Sequence, residues 1–316
     1  MVDATDLRVL HLVTAEEVFF TQQIDVLQSK GVDCTVLVVP GQEQVDGDMG
    51  ARRGPGEYLK FLPRVRRELR RGDYDLIHAN YGLTAPYAVT QFRLPVVMTL
   101  WGSDVVGFDG LVTKACAWRA DAVTVRSEEM RELLGRADVH IVPSGVDMDK
   151  FRPIDQTDAR ERVGWDVEGT HVLFPYSPDY ERKNYPLAER VVERTSETMG
   201  EEITLQTISG IDHDEVPYYV NAADCVLLTS RHEGSPNTVK EAMACNVPVV
   251  STDVGDVRER LEGVSPSDVG TTEIELGTSL AGVVRARQRS NGRDVVREVS
   301  WDRIGDKILN IYKSLD

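Results

Sequence analysis

Residues Arg231–Thr252 read RHEGSPNTVKEAMACNVPVVST. They follow a short apolar run, Cys225-Val226-Leu227-Leu228-Thr229, bounded by Asp224 and Ser230, with the length and continuity of a buried parallel strand. Gly234, Ser235, Pro236 and Asn237 then form a turn, a helix is expected from about Thr238 to Ala244, and Val247–Ser251 supplies a second buried strand. Such a unit feeds its turn into a helix N-terminus, where unpaired backbone N–H groups and the positive end of the dipole favour a phosphate. Glu233 precedes the turn and Glu241 lies inside the helix, separated by seven residues. Carboxylates repel phosphate, so hydroxyls are their expected partners: those of a transferred sugar for one acid and those of a nucleotide ribose for the other.

A chain of 316 residues suits two domains, each burying its own core. Its 36 basic and 52 acidic side chains leave a net charge of -16, which argues against broad nucleic-acid binding but allows a local cationic pocket. Cys34, Cys116, Cys225 and Cys245 have no metal-ligand or CxxC spacing and read as reduced core thiols of a cytoplasmic protein. Nothing in it resembles a signal peptide or an apolar run of ~18 residues, so neither export by that route nor a bilayer span is expected. Asp46-Gly47-Asp48, Asp147-Met148-Asp149 and Asp212-His213-Asp214 each match a D-x-D metal motif. Chance explains three such matches in so acidic a chain, and no metal or other cofactor is assigned.

Working outward, Leu7–Thr14 is an expected strand, Glu17–Lys30 a helix stopped by Gly31, and Asp33–Val39 a strand, which opens a doubly wound α/β domain. Gly41–Gly56 reads as a long loop. Glu57–Arg71 reads as a helix with Leu59, Leu62, Val65 and Leu69 toward the core and Lys60, Arg64, Arg67 and Arg71 on another face. That basic face is either solvated or docks an anionic membrane or lipid-linked acceptor. A strand from Tyr74 runs to Gly82, with His78 as a core histidine, and Pro95–Leu100 runs into Trp101-Gly102-Ser103-Asp104. Asp121–Val125 and Val139–Val142 complete the half. The second half restarts with strand His171–Phe174, the loop Pro175–Asn184 carrying Arg182 and Lys183, and a helix over Pro186–Arg194. Strand Ile203–Thr207 leads to Gly210-Ile211-Asp212-His213 and a helix over Val216–Ala222, and Ser300–Tyr312 reads as a capped amphipathic helix.

In this order the segments resemble family 4 of the retaining GT-B glycosyltransferases, in its group 1 members of surface-polysaccharide and teichuronic-acid type. Glu233 and Glu241 match the E-x7-E motif of that family within EGSPN and KEAMACNVPVVSTDVG. The resemblance implies two Rossmann-like doubly wound domains facing a central cleft: residues 1–152 on the acceptor side, 153–300 binding the nucleotide sugar, and a helix over 301–316 packing back on the first. It implies transfer of a sugar from a nucleotide-diphosphate sugar to an acceptor hydroxyl with retention and without metal, in cell-surface glycan or glycolipid synthesis. The reduced thiols and the basic face over Lys60–Arg71 lead separately to the expectation of a cytoplasmic protein, peripheral at the inner face of the membrane. Lys183, with Arg182 as a candidate second cation, would stabilise the departing diphosphate, and Glu233 would orient the donor sugar. Gly234, Ser235, Pro236, Asn237 and Thr238 would line the donor, Glu241 would hold the ribose, and Gly210 and Asp212 would flank the base. Gly82, Gly102 and Asp104 are the acceptor-side candidates.

Three departures stand against the resemblance. Thr14-Ala15-Glu16-Glu17 replaces a common Gly-Gly loop, Trp101 stands where many relatives have histidine, and Tyr176 and Ser177 stand near the place of a family arginine. A nucleotide-sugar epimerase of the same fold and a catalytically silent nucleotide-sugar binder are the rival readings. Both glutamates and Lys183 argue against the silent binder.

Overall fold

A computed structural model describes residues 7–41, 55–105 and 107–315. The chain forms two compact units: one takes in the residues up to Ser144 and the helix from Trp301 onward, the other runs from Gly145 to Ser300.

The first unit is a parallel sheet of β1 (Arg8–Val13), β2 (Asp33–Val38), β3 (Leu76–Asn80), β4 (Val96–Thr99), β5 (Ala122–Val125) and β6 (His140–Ile141), in spatial order β2-β1-β3-β4-β5-β6. Its crossovers are α1 (Val18–Ser29), α2 (Pro55–Arg71), α3 (Ala85–Val89), α4 (Gly107–Ala117) and α5 (Glu128–Leu134). Helices on both faces explain why the central strands are buried at every position rather than at alternate ones. Leu10, Leu12, Phe61, Ile77, Met98 and Val123 are fully buried in one cluster.

The second unit orders β7 (Thr170–Phe174), β8 (Ile203–Thr207), β9 (Cys225–Leu228), β10 (Val249–Thr252) and β11 (Asp268–Gly270) as β11-β10-β9-β7-β8, again all parallel. Around it lie α6 (Gln156–Val163), α7 (Tyr185–Met199), α8 (Val216–Ala222), α9 (Asn237–Ala244), α10 (Val257–Arg260), α11 (Glu273–Ala286) and α12 (Gly292–Val296). Helix α11 starts on a capping box between Thr272 and Glu275.

The final helix, α13 (Trp301–Lys313), packs on α1 of the first unit. Lys30 Nζ reaches Asp302 and Asp306 at 2.7 Å each, and Trp301 Nε1 donates to Gln22 at 2.9 Å. Deeper in, Tyr312 Oη meets His78 Nδ1 at 2.6 Å while His78 Nε2 meets Thr99 Oγ1 at 2.7 Å. His78 is fully buried, and burial with the nearby His11 and Arg126 holds its pKa well below the ordinary value, so it is a core histidine.

The unit boundary falls earlier than the expected 152/153. Arg293 donates to the carbonyls of Met148 and Phe151 at 2.7 Å, which binds the segment after Ser144 into the second unit. Leu59 is also misplaced by the expected helix face: it is 76% exposed, and Phe61 with Val65 makes the core contact instead. Asp46 and Asp48 lie outside the described residues. No helix among the described residues is long and apolar enough to cross a membrane.

Candidate active site

Strands β7 and β9 are neighbours, with Val172 beside Cys225 and Leu173 beside Val226, yet β8 lies on one side of this pair and β10 on the other. The chain therefore leaves β7 and β9 in opposite directions, opening a crevice at their carboxyl ends where doubly wound sheets take ligands. The loop after β7 closes in a 3-10 turn, Glu181–Lys183. Thr229 Oγ1 donates to the carbonyls of Lys183 and Asn184 at 3.0 and 3.1 Å, and Arg231 N donates to the Arg182 carbonyl at 3.0 Å. This stitching to the exit of β9 turns Lys183 inward and leaves Arg182 exposed, its guanidinium donating to Tyr180 Oη at 3.1 Å.

Lys183 Nζ lies 2.6 Å from Glu233 Oε1, with side-chain exposures of only 7% and 10%. Ser230 Oγ donates to the same oxygen at 2.7 Å. Beneath the ammonium, 3.7 Å away, is the centre of the Tyr176 ring, whose hydroxyl shares a 2.8 Å hydrogen bond with Thr238 Oγ1 in the first turn of α9. Burial lowers the Lys183 pKa, and the Glu233 carboxylate opposes that shift. The Tyr176 hydroxyl moves the other way, raised by burial and then by Glu233, so it stays neutral. Tyr176 and Ser230 are the contributors the sequence reading misses. The available signal was position: Tyr176 follows β7 and Ser230 follows β9, at the two edges of the crevice.

Pro236 gives α9 no side-chain cap. The turn before it is held from below. Gly255 has φ +56, and a Cβ there would come within 2.3 Å of the Gly234 carbonyl oxygen, which accepts Asp256 N at 3.2 Å. Ser235 Oγ donates to Asp256 Oδ2 at 2.8 Å and accepts from the buried Lys240 ammonium at 3.1 Å. The Ser235 side chain thus shapes the turn, and Arg260 completes the network on Asp256 at 3.2 Å.

Glu241, one turn further along α9, is 13% exposed, and burial pushes its carboxyl up to about 7 against the pull of Lys240 and Lys150. His213 Nε2 faces it at 3.9 Å. Gly210 and Asp212 lie on the exposed loop before His213, and Asp212 Oδ1 accepts Asp214 N at 2.9 Å. Asp147 Oδ1 does the same for Asp149 N at 3.0 Å, so both D-x-D matches in described residues have a turn-forming aspartate.

In the first unit, Asp104 is completely buried and accepts from the backbone N–H groups of Gly82, Trp101 and Gly102 at 3.1, 3.0 and 2.9 Å. Burial raises its pKa while those hydrogen bonds lower it. It is a clamp between the ends of β3 and β4. Trp101 is stacked by Arg126, whose guanidinium lies 3.4 Å over the ring centre.

Comparison with known proteins agrees with this architecture in both halves. Residues 17–150 match the model described as Glycosyltransferase Family 4, and residues 186–270 match Glycosyl transferases group 1. The D-inositol 3-phosphate glycosyltransferase of Xylanimonas cellulosilytica is 26% identical over 94% of this chain and 87% of its own. A Bacillus subtilis protein named for teichuronic acid biosynthesis, TuaC, is 25% identical over 77% of this chain and 78% of its own. Among solved structures, sucrose-phosphate synthase from Thermosynechococcus elongatus superposes with a TM-score of 0.78 at 19% identity, covering 98% of this chain and 99% of that one. Anabaena HepE in complex with UDP gives a TM-score of 0.70 at 16% identity, covering 98% and 100%. With both halves matched and both sheets wound in parallel as the GT-B fold has them, the chain belongs to the family 4, group 1 glycosyltransferases.

Proposed function

We propose that the protein is a retaining glycosyltransferase that moves a sugar from a nucleotide diphosphate to an acceptor hydroxyl in cell-surface glycan or glycolipid synthesis. The observation that carries this reading is the Lys183–Glu233 pair at the switch point between β7 and β9, tied through Tyr176 to Thr238 in α9. As the bond to the diphosphate lengthens, negative charge grows on the departing oxygen. In this reading the Lys183 ammonium and the N-terminal N–H groups of α9 receive it, and one such preorganised donor is worth ~3 kcal/mol. Glu233 Oε1 is occupied by Lys183 and Ser230, so the carboxylate acts through its other oxygen on donor-sugar hydroxyls rather than as a nucleophile. Glu241 accepts from the ribose. The reading needs no metal, since cations of the chain and backbone dipoles meet the diphosphate charge. HepE having been solved with UDP-glucose supports a nucleotide-sugar donor.

Peripheral contact with an anionic membrane belongs to the same proposal and is assigned to α2. Lys60, Arg64, Arg66, Arg67, Arg70 and Arg71 are exposed on it beside Leu59. Such a cluster suits an anionic lipid surface, and the net charge of -16, which opposes approach, makes the binding weak and reversible.

The test is donor consumption by the purified protein, with nucleotide sugars first screened by thermal shift. A ligand at ~100 times its Kd stabilises by ~2.7 kcal/mol. Transfer that requires an acceptor and retains the anomeric configuration is expected. Acceptor-independent conversion of the sugar would make the protein an epimerase, and binding without turnover a silent binder; either result overturns the proposal.

A further inference from the structure

Glu241 and His213 come from different elements, α9 and the loop between β8 and α8, and their facing atoms Oε1 and Nε2 are 3.9 Å apart. That separation is too long for a hydrogen bond, yet a single hydroxyl oxygen can reach both atoms at ordinary hydrogen-bond lengths. On the far side of the ring, Lys150 Nζ lies 2.7 Å from His213 Nδ1. An ammonium only donates, so Nδ1 must present its lone pair and the neutral ring carries its proton on Nε2, toward Glu241. Lys150 is fixed in turn: its ammonium holds Asp214 Oδ1 at 2.5 Å and its backbone N–H donates to Asp147 Oδ1 at 2.9 Å. The Phe151 ring meets His213 edge-on, with centroids 5.9 Å apart. Burial and the Lys150 charge both lower the His213 pKa, which keeps the ring neutral.

The result is one fixed N–H donor opposite one carboxylate acceptor. Phosphate is repelled by the carboxylate. A hydroxyl fits, because it accepts and donates at once.

We propose that His213 contacts the ligand and reads the nucleotide ribose together with Glu241: Nε2–H donates to a ribose hydroxyl, that hydroxyl donates to Glu241, and Lys150 is the positioning residue that sets the tautomer. This rests on the assignment of Glu241 to the ribose.

The experiment is calorimetric titration with UDP and GDP and with the 2′-deoxy and 3′-deoxy form of each, using wild type, His213→Ala, His213→Gln, Lys150→Met and Glu241→Gln. For the ribonucleotide that binds, His213→Ala is expected to weaken affinity about tenfold. The same substitution should cost nothing with the deoxynucleotide that lacks the contacted hydroxyl, and His213→Gln, which keeps a donor at similar reach, should recover most of the loss. Imidazole 15N–1H correlation spectra of the wild type should show the Nε2–H tautomer, and those of Lys150→Met a mixture.

Equal weakening of all three ligands by His213→Ala, no weakening of any, or an Nδ1–H tautomer in the wild type overturns the inference. If Glu241→Gln abolishes discrimination against the deoxynucleotides while His213→Ala leaves it intact, His213 alone is wrongly assigned. If neither changes it, or no nucleotide binds the wild type, the ribose assignment of Glu241 falls and His213 falls with it.

Discussion

The Lys183 ammonium sits 2.6 Å from Glu233 Oε1 with the Tyr176 ring 3.7 Å beneath it, so the one inward cation of the loop after β7 is paired and walled by side chains of its own unit. Removing one partner of a pair this buried strands the other and costs roughly 3–5 kcal/mol. Lys183→Met is expected to lose stability on that scale in urea denaturation, and Lys183→Met with Glu233→Leu to regain much of it. An additive double variant would show that the two side chains are not coupled.

Turnover separates the two basic residues of that loop. Lys183→Ala should lower kcat by roughly 100-fold or more, because its charge acts on the leaving diphosphate. Arg182→Ala should have the smaller effect, since that side chain is exposed and rests on Tyr180. Steady-state kinetics with the donor identified by screening checks this. The reverse ranking would assign the diphosphate contact to Arg182.

Glu241 gives a pH dependence with a definite sign. Its carboxyl is raised from 4.5 to about 7, chiefly by burial, with Lys240 and Lys150 opposing. Between these values the unfolded chain releases a proton that the folded chain keeps. The stability contribution is therefore complete below pH ~4.5 and is lost as pH rises to ~7, by at most ~3 kcal/mol. Ribose hydroxyls prefer the ionised acid, so nucleotide-sugar affinity should rise from pH 6 to pH 8 with proton release. Calorimetry in buffers of different ionisation enthalpy measures that release, and Glu241→Gln should abolish it. A wild type that binds without releasing protons would contradict the assignment.

Gly255→Ala tests the support under the donor turn. The new methyl would meet the Gly234 carbonyl at 2.3 Å from a backbone at φ +56. The left-handed conformation alone costs an alanine about 1–2 kcal/mol, and displacement of the Gly234 turn should weaken donor binding as well. Unchanged melting temperature and donor affinity would mean that the turn does not depend on Gly255.

For α2, co-sedimentation with anionic and neutral vesicles at low and high salt is the measurement. Each cation gains up to ~1 kcal/mol near an anionic surface, within a Debye length of ~8 Å. Wild type should bind anionic vesicles weakly and lose them at high salt, and the variant with Lys60, Arg64, Arg67 and Arg71 changed to Gln should bind less. Equal binding by both proteins would leave α2 a solvated face.

Much of the fold was legible from the chain because its information is local. Continuous apolar runs such as Cys225–Leu228 report burial on both faces, and glycines such as Gly31 mark helix ends, so a doubly wound parallel architecture follows from strand and helix alternation. The E-x7-E spacing was equally local, since one turn and one helix carry both acids. The stretch between Gly255 and Ser300 carries no equally local signal, because α11 announces itself only through the cap at Thr272 and a face buried against α7.

What the tertiary structure alone decided was which side chains meet. The order of β8, β7, β9 and β10 brings Tyr176, Lys183, Ser230 and Glu233 to one crevice from positions far apart in sequence, and it turns Arg182 away from its neighbour Lys183. Likewise His213, the middle residue of a D-x-D match by sequence, becomes a fixed donor only because Lys150 reaches its Nδ1 across 63 residues of chain. Sequence encodes the periodicity that buries a segment, whereas hydrogen bonds and ion pairs act over a few ångströms. Which groups come within that range is set by how the strands are ordered in the sheet.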